Sequence, residues 1–282
     1  MAESILHGKV AIVTGAGSPT GTGHAMAIGL VRAGARVALL DRNQEWLAQS
    51  LGEVSTVGGA GCAVSILADI TDPDAVEEAV HRTIAELGGL HILINNAGTN
   101  PRAAGFALAS RNFWEIPLAA WNRVVAVNFS GAFYMARAVT GHLLAQGWGR
   151  IIGVTTSVDT MYRKGKVPYG PSKAGHEALV ATMARELEGT GVTANVLVPG
   201  GPTNTNFISS KKSETDRAAL IQPEVMQAPA VWLASDASQT CNGRRIIAYH
   251  WDVRLPLEER LAKASAPAAW PQLGEQVILP RR

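Results

Sequence analysis

Seven short, mainly apolar runs recur along the chain: Val10 to Val13, Val37 to Leu40, Ala63 to Leu67, Ile92 to Ile94, Ile151 to Val154, Thr193 to Val198 and Arg245 to Ala248. Longer segments of helical period separate them, at 22–33, 73–87, 119–145, 170–189 and 224–235. Each run lacks the polar alternation of a half-exposed strand, so both faces of the sheet they form must be covered. The pattern predicts an α/β fold: one doubly wound domain with a seven-stranded, mostly parallel sheet and helices on both faces. Three stretches break the rhythm. Those at 99–117 and 203–223 follow strand ends, where open α/β sheets place ligands, and are read as substrate loops. The third, 254–282, is a tail after the main domain of 1–253. Its prolines and tryptophans suit neither a free linker nor a long helix, and it is expected to pack on its own or a neighbouring subunit.

Bulk properties exclude several function classes. The 282 residues, 47% of them hydrophobic, are enough for a large core, and the net charge of +2 is spread without a basic block, so no nucleic acid partner is expected. Cys62 and Cys241 stand far apart and give neither a disulfide framework nor metal-ligand spacing, usage that suits the reducing cytoplasm. No signal peptide opens the chain and no run of about eighteen apolar residues exists, so no membrane partner is expected either.

Directly after the first run comes Thr14-Gly15-Ala16-Gly17-Ser18-Pro19-Thr20-Gly21-Thr22-Gly23, leading into an amphipathic helix. Glycines let backbone approach a pyrophosphate without a Cβ clash, and helix-start amides attract the anion. Gly15, Ser18, Gly21 and Thr22 are the loop's candidate contacts. The second strand ends at Asp41, eighteen residues beyond Gly23, where a carboxylate can accept from both hydroxyls of an adenosine ribose. That charge repels a 2′-phosphate and favours NAD over NADP, although Arg42 offers a partial counterweight. Glycine-rich turns also occur without nucleotides, and an Asp at a strand end also caps helices.

Further on stand Asn95-Asn96-Ala97-Gly98, then Asn128, then Tyr169-Gly170-Pro171-Ser172-Lys173, then Pro199-Gly200. In this order the chain resembles the short-chain dehydrogenase/reductase family over roughly residues 8 to 250. The resemblance implies a Rossmann-type domain binding a nicotinamide dinucleotide. Asn96, Ala97 and Gly98 would pass beside the cofactor ribose, Asp69 and Ile70 would lie by the adenine, and Pro199, Thr203 and Thr205 would approach the carboxamide. Asn128 would hold a water that relays protons from Lys173. The glycine loop departs from the commonest family form, having five residues between Gly15 and Gly21 instead of three, which leaves open which amides meet the pyrophosphate.

Tyr169 and Lys173 lie one helical turn apart and leave the same face. Oxidising a secondary alcohol needs a base for its hydroxyl proton. A phenol near its ordinary pKa of about 10 serves only if neighbouring positive charge favours tyrosinate. Lys173 and an oxidised nicotinamide would both do so, making Tyr169 the expected acid/base and Lys173 also a ribose contact. A buried structural pair is the alternative. The hydroxyl that polarises the substrate oxygen falls on Thr156 by spacing and on Ser157 by residue type.

The expected activity is hydride transfer between NAD(H) and a small-molecule secondary alcohol or ketone. An epimerase or dehydratase that retains its NAD is an alternative, as is a nonenzymatic dinucleotide-sensing module. Arg102, Arg163, Lys164, Lys166, Lys211 and Lys212 flank the expected cleft and allow an anionic substrate, and Trp114 and Trp121 could line an apolar pocket. On family grounds the chain is expected to form a homotetramer through the helical segments 119–145 and 170–189.

Overall fold

The computed structural model describes residues 4–108, 112–208 and 213–273. The chain begins as β1 (Val10–Thr14), α1 (Thr22–Arg32), β2 (Arg36–Asp41), α2 (Gln44–Gly58), β3 (Ala63–Leu67), α3 (Pro73–Leu87) and β4 (Ile92–Asn95). It continues as α4 (Leu118–Val125), α5 (Gly131–Ala145), β5 (Gly149–Val154), α6 (Val158–Tyr162), α7 (Tyr169–Glu186) and β6 (Val192–Val198). Then follow α8 (Glu214–Ala218), α9 (Gln227–Leu233), β7 (Arg244–Ile247), α10 (Leu257–Ala264) and β8 (Ser265–Pro267). The strands form one sheet in the order β3-β2-β1-β4-β5-β6-β7-β8, parallel except for β8. Val10 of β1 stands opposite Arg36 of β2, and Ala11 opposite Ile92 of β4, so the strand order reverses at β1. Clefts open at the strand ends beside such a reversal.

Apolar side chains point to both faces, as the continuous runs require. On one face Val13, Leu39 and Ile94 pack with Met26 and Leu30 of α1 and Leu233 of α9. On the other, Ile12, Leu40 and Leu93 pack with Val76 of α3, Val139 of α5 and Val180 of α7.

The sheet has eight strands where the sequence pattern predicts seven. The added β8 comes from the tail, whose Ser265 pairs with Ile246 of β7. Three residues ending in a proline carry no periodic signal, and proline is tolerated there because this is a sheet edge. With α10, this segment of the tail packs on its own chain: Ala264 and Leu261 join the core around Trp251. The helical pattern of the sequence does not predict α2. It carries Ser50, Gly52, Ser55 and Thr56, all weak helix formers, and is started by Asn43, whose side chain accepts from the Trp46 amide at 2.9 Å. The helix expected over 119–145 is α4 and α5 joined by a π turn at Ala126–Ser130. Within 203–223, read as loop, Ser213 caps the short α8. Lys211, Lys212 and the last nine residues of the tail lie outside the described residues.

Candidate active site

A cleft of about 860 Å³ opens at the C-terminal ends of β4, β5 and β6. Of the sequence-predicted residues, its lining includes Thr22, Asn96, Gly98, Thr156, Ser157, Tyr169, Lys173, Pro199, Thr203 and Thr205. Gly15, Ser18, Gly21, Asp41, Asp69, Ile70, Ala97 and Asn128 lie outside that lining.

The side built on β1 and β4 is made from backbone. Gly15 has φ of +65°, and a Cβ there would fall 2.8 Å from the Ala97 Cα. Gly17 lies so close to Asp41 that a Cβ would come within 2.8 Å of its side chain, and its amide donates to Asp41 Oδ2 at 3.0 Å. The other oxygen, Oδ1, accepts from the amides of Arg42 and Asn43. Asn96 stitches the two loops together: its Nδ2 donates to the carbonyls of Thr14 and Gly15, and its Oδ1 accepts from the Thr22 hydroxyl. No side chain caps α1 and no acid lies in its first turn, so its leading amides keep their positive potential. Ser18 and Thr20 of the glycine loop both bond Asn206, from the loop after β6.

Asp69 accepts from the amide and hydroxyl of Thr71 and from Arg123, at 2.9 Å. Burial works against its charge, but these donors outweigh it and hold its carboxyl below the usual range. Ile70 is buried against Gly131.

The opposite side is built on buried polar side chains. Tyr169 and Lys173 occupy the first turn of α7. Lys173 is buried and donates to the Val154 carbonyl at 2.8 Å, and burial brings its ammonium down to about 8. Tyr169 is half-buried; burial pushes its phenol up, and the nearby Thr156 side chain opposes that rise. The two candidate hydroxyls separate here, since Ser157 Oγ pairs with Thr160 Oγ1 at 2.7 Å while Thr156 faces Tyr169.

Asn128 is fully buried in the π turn, a deviation that often occurs at functional sites. Its Oδ1 accepts from the Thr99 amide at 2.7 Å, and its Nδ2 donates to the Thr99 carbonyl and to Ser172 Oγ, each at 2.9 Å. Both amide hydrogens are therefore spent on tying the loop after β4 to α7. Thr203 Oγ1 donates to the Gly201 carbonyl, and Thr205 Oγ1 accepts from the Phe207 amide.

The expected substrate contacts divide. Arg102 donates to the carbonyls of Asn206 and Phe207, so it bridges two loops. Arg163 and Lys166 line the cleft, whereas Lys164 does not. Trp114 and Trp121 are absent from the lining, and Trp114 packs edge-on against Phe113 at 5.2 Å. Apolar surface comes instead from Phe106, Leu108, Val167, Phe207 and Ile208. Phe207, unread in the sequence, places its ring 6.4 Å from that of Tyr169. Its only sequence signal was membership of the 203–223 loop. Among the described residues no group of His, Cys, Asp and Glu could hold a metal ion, and no helix is long and apolar enough to cross a membrane.

The family model for short chain dehydrogenases matches residues 9–216. A D-threitol dehydrogenase of Mycolicibacterium smegmatis is 34% identical over 257 residues, covering 86% of this chain and 92% of that one. A 2-dehydro-3-deoxy-D-gluconate 5-dehydrogenase of Escherichia coli is 29% identical, covering 86% and 94%. Among solved structures, one assigned as an NAD(P)-dependent gluconate 5-dehydrogenase from Beutenbergia cavernae, with NADP bound at low occupancy, superposes with a TM-score of 0.73. It is 31% identical and covers 87% of this chain and 96% of its own.

Proposed function

Starting from the chain's membership of the short-chain dehydrogenase/reductase family, we propose that this oxidoreductase moves a hydride between NAD(H) and a secondary alcohol or its ketone, with Tyr169 as acid and base. The observation that carries the reading is the convergence of Thr156, Tyr169 and Lys173 on one wall of the cleft, with the buried Lys173 one helical turn from Tyr169 and held by the Val154 carbonyl at 2.8 Å.

The residues present fit a dinucleotide. Gly15 and Gly17 hold a surface that any side chain would fill, beside helix-start amides with no side-chain acceptor. When bound, NAD(H) supplies or accepts the hydride. The protein's own residues handle the proton. In oxidation Tyr169 takes the substrate hydroxyl proton, and in reduction it returns one. Thr156 donates to the substrate oxygen, where charge develops. Lys173, one helical turn from the phenol, would favour its ionised form by its positive charge, as would an oxidised nicotinamide ring. Asn128 keeps α7 and the loop after β4 in register.

Asp41, poised at the glycine loop, supports NAD over NADP, while the NADP in the Beutenbergia structure makes the preference a direct subject for assay. The threitol and gluconate relatives, together with Arg163 and Lys166 in the cleft, support a polyol or sugar acid as substrate. We also propose a cytoplasmic homotetramer assembled through α4, α5 and α7.

The test is a panel of D-threitol, other polyols, gluconate and simple secondary alcohols, followed at the NADH and NADPH absorbance band. A polyol or sugar acid should turn over, faster with NAD. Tyr169→Phe should bind NADH as wild type does and lose about 10³-fold in kcat. Undiminished turnover by that variant would sink the proposed proton transfer.

A further inference from the structure

The face of α7 that bears Tyr169 and Lys173 continues, one turn on, to Glu177. This carboxylate is completely buried and pairs with Arg245 of β7, only 6% exposed. Two charges withdrawn from water persist only if nearly every hydrogen-bonding position is filled, and apolar side chains of equal volume would be at least as stable. Here the positions are filled by particular parts of the site. Glu177 Oε2 accepts from the Thr155 hydroxyl at 2.9 Å and from the Arg245 guanidinium. Oε1 accepts from the Ala269 amide at 3.3 Å, just beyond β8. The second terminal nitrogen of Arg245 donates to the carbonyl of Thr156. One carboxylate and one guanidinium therefore grip two successive residues at the end of β5, Thr155 by its side chain and Thr156 by its backbone.

We propose that Glu177 and Arg245 are positioning residues: the pair, completed by the tail at Ala269, fixes the backbone of Thr156 so that its hydroxyl meets Tyr169. The inference rests on the function proposed above. It also gives the tail a task, since β8 delivers the Ala269 amide to the same carboxylate. Without the pair, the end of β5 keeps its ladder partner in β6 but loses the grip on the Thr155 hydroxyl and the Thr156 carbonyl. Misplacement of a reacting group by about 1 Å is enough to cost about two orders of magnitude in rate.

Arg245→Lys is the sharpest probe. It retains the charge, and so the field at Tyr169 and Lys173, but cannot bridge carboxylate and carbonyl with a planar fork. The double variant E177Q/R245M removes both charges and leaves no unpaired ion in the core. The direct readout needs no substrate: the alkaline absorbance change of tyrosinate, taken as the difference between each protein and its own Tyr169→Phe derivative. Both variants should titrate Tyr169 at higher pH than wild type, because the Thr156 donor is no longer aimed at the phenol. With the best substrate of the panel, kcat should fall at least about tenfold while the Kd for NADH stays within about twofold. If Arg245→Lys and the double variant keep the wild-type titration and kcat, the pair serves stability alone and the inference is overturned, whatever happens to Tm. Tyr169→Phe, assayed alongside, separates the two readings. Full activity in that variant overturns the proposed function. An inactive Tyr169→Phe beside an unaltered Arg245→Lys overturns only the role of the pair.

Discussion

The two walls of the cleft are made from opposite materials. On the side of β1 and β4, the wall is backbone and missing side chains: Gly15, Gly17 and Gly23 permit contacts that a Cβ would block, and Asn96 fastens loop to loop. On the side of β5 and α7, polar groups are buried at a cost: Lys173, Asn128 and Glu177 are each at most 3% exposed, and each is held by named partners. A cradle for a ligand needs shape, which glycine supplies. A proton-transfer site needs groups whose protonation is tuned, which requires burial and fixed neighbours. The walls should therefore fail differently when altered.

The largest effect is expected on the polar wall. Thr156→Val should lower kcat/KM by about 10²-fold to 10³-fold with NADH binding intact, as removal of a donor to a developing oxyanion does. Ser157→Ala, whose hydroxyl is turned to Thr160, should change it by less than about threefold; the reverse order would reassign the substrate-polarising role. On the backbone wall the defect should appear in affinity. Gly17→Val must displace Asp41 and should weaken NADH binding by about thirtyfold in a fluorescence titration, roughly 2 kcal/mol, while kcat at saturating cofactor moves less. An unchanged Kd would show that this loop does not carry the dinucleotide.

The cost of the polar wall can be measured as stability. Lys173 titrates near 8 in the folded protein against an ordinary 10.5, so between those values the unfolded chain binds more protons and stability rises with pH. Below 8 the penalty is complete, about 3 kcal/mol by that shift, against which the bond to the Val154 carbonyl returns about 2 kcal/mol. Lys173→Met should thus be inactive yet more stable by about 1 kcal/mol at pH 7, an advantage that thermal melts should show shrinking above pH 8 and giving way, past pH 10.5, to a deficit of about 2 kcal/mol. A variant less stable at pH 7 would mean that burial costs Lys173 little. The smallest effect is in the tail, where Ala269 has φ of +57°. Ala269→Gly should relieve that conformation and gain about 0.5 kcal/mol, detectable as a slightly raised Tm. A lowered Tm would place the strain elsewhere.

These contrasts explain what could be read beforehand. Val10 to Val13 and its six companions are legible as strands because a sheet covered on both faces needs mainly apolar runs, and the meeting of the glycine loop with Asp41 is legible because distance along a βαβ unit maps onto distance in space. The helix α2 escaped because its apolar face is narrow and its formers weak, and β8 because three residues have no period. Thr156 and Ser157 could not be told apart, since neighbours at a strand end differ only in where the chain turns next.

The sequence by itself determined the layered α/β architecture, the glycine cradle and the Tyr169–Lys173 face, all of which follow from spacing along one or two adjacent elements. Only the tertiary structure decided that Thr156 meets the phenol, that Arg102 ties loops together, and that Glu177, Arg245 and the tail converge beneath the site. Those pairings join residues up to 105 positions apart, brought together by the crossing of strands and helices, and no local pattern encodes such a meeting.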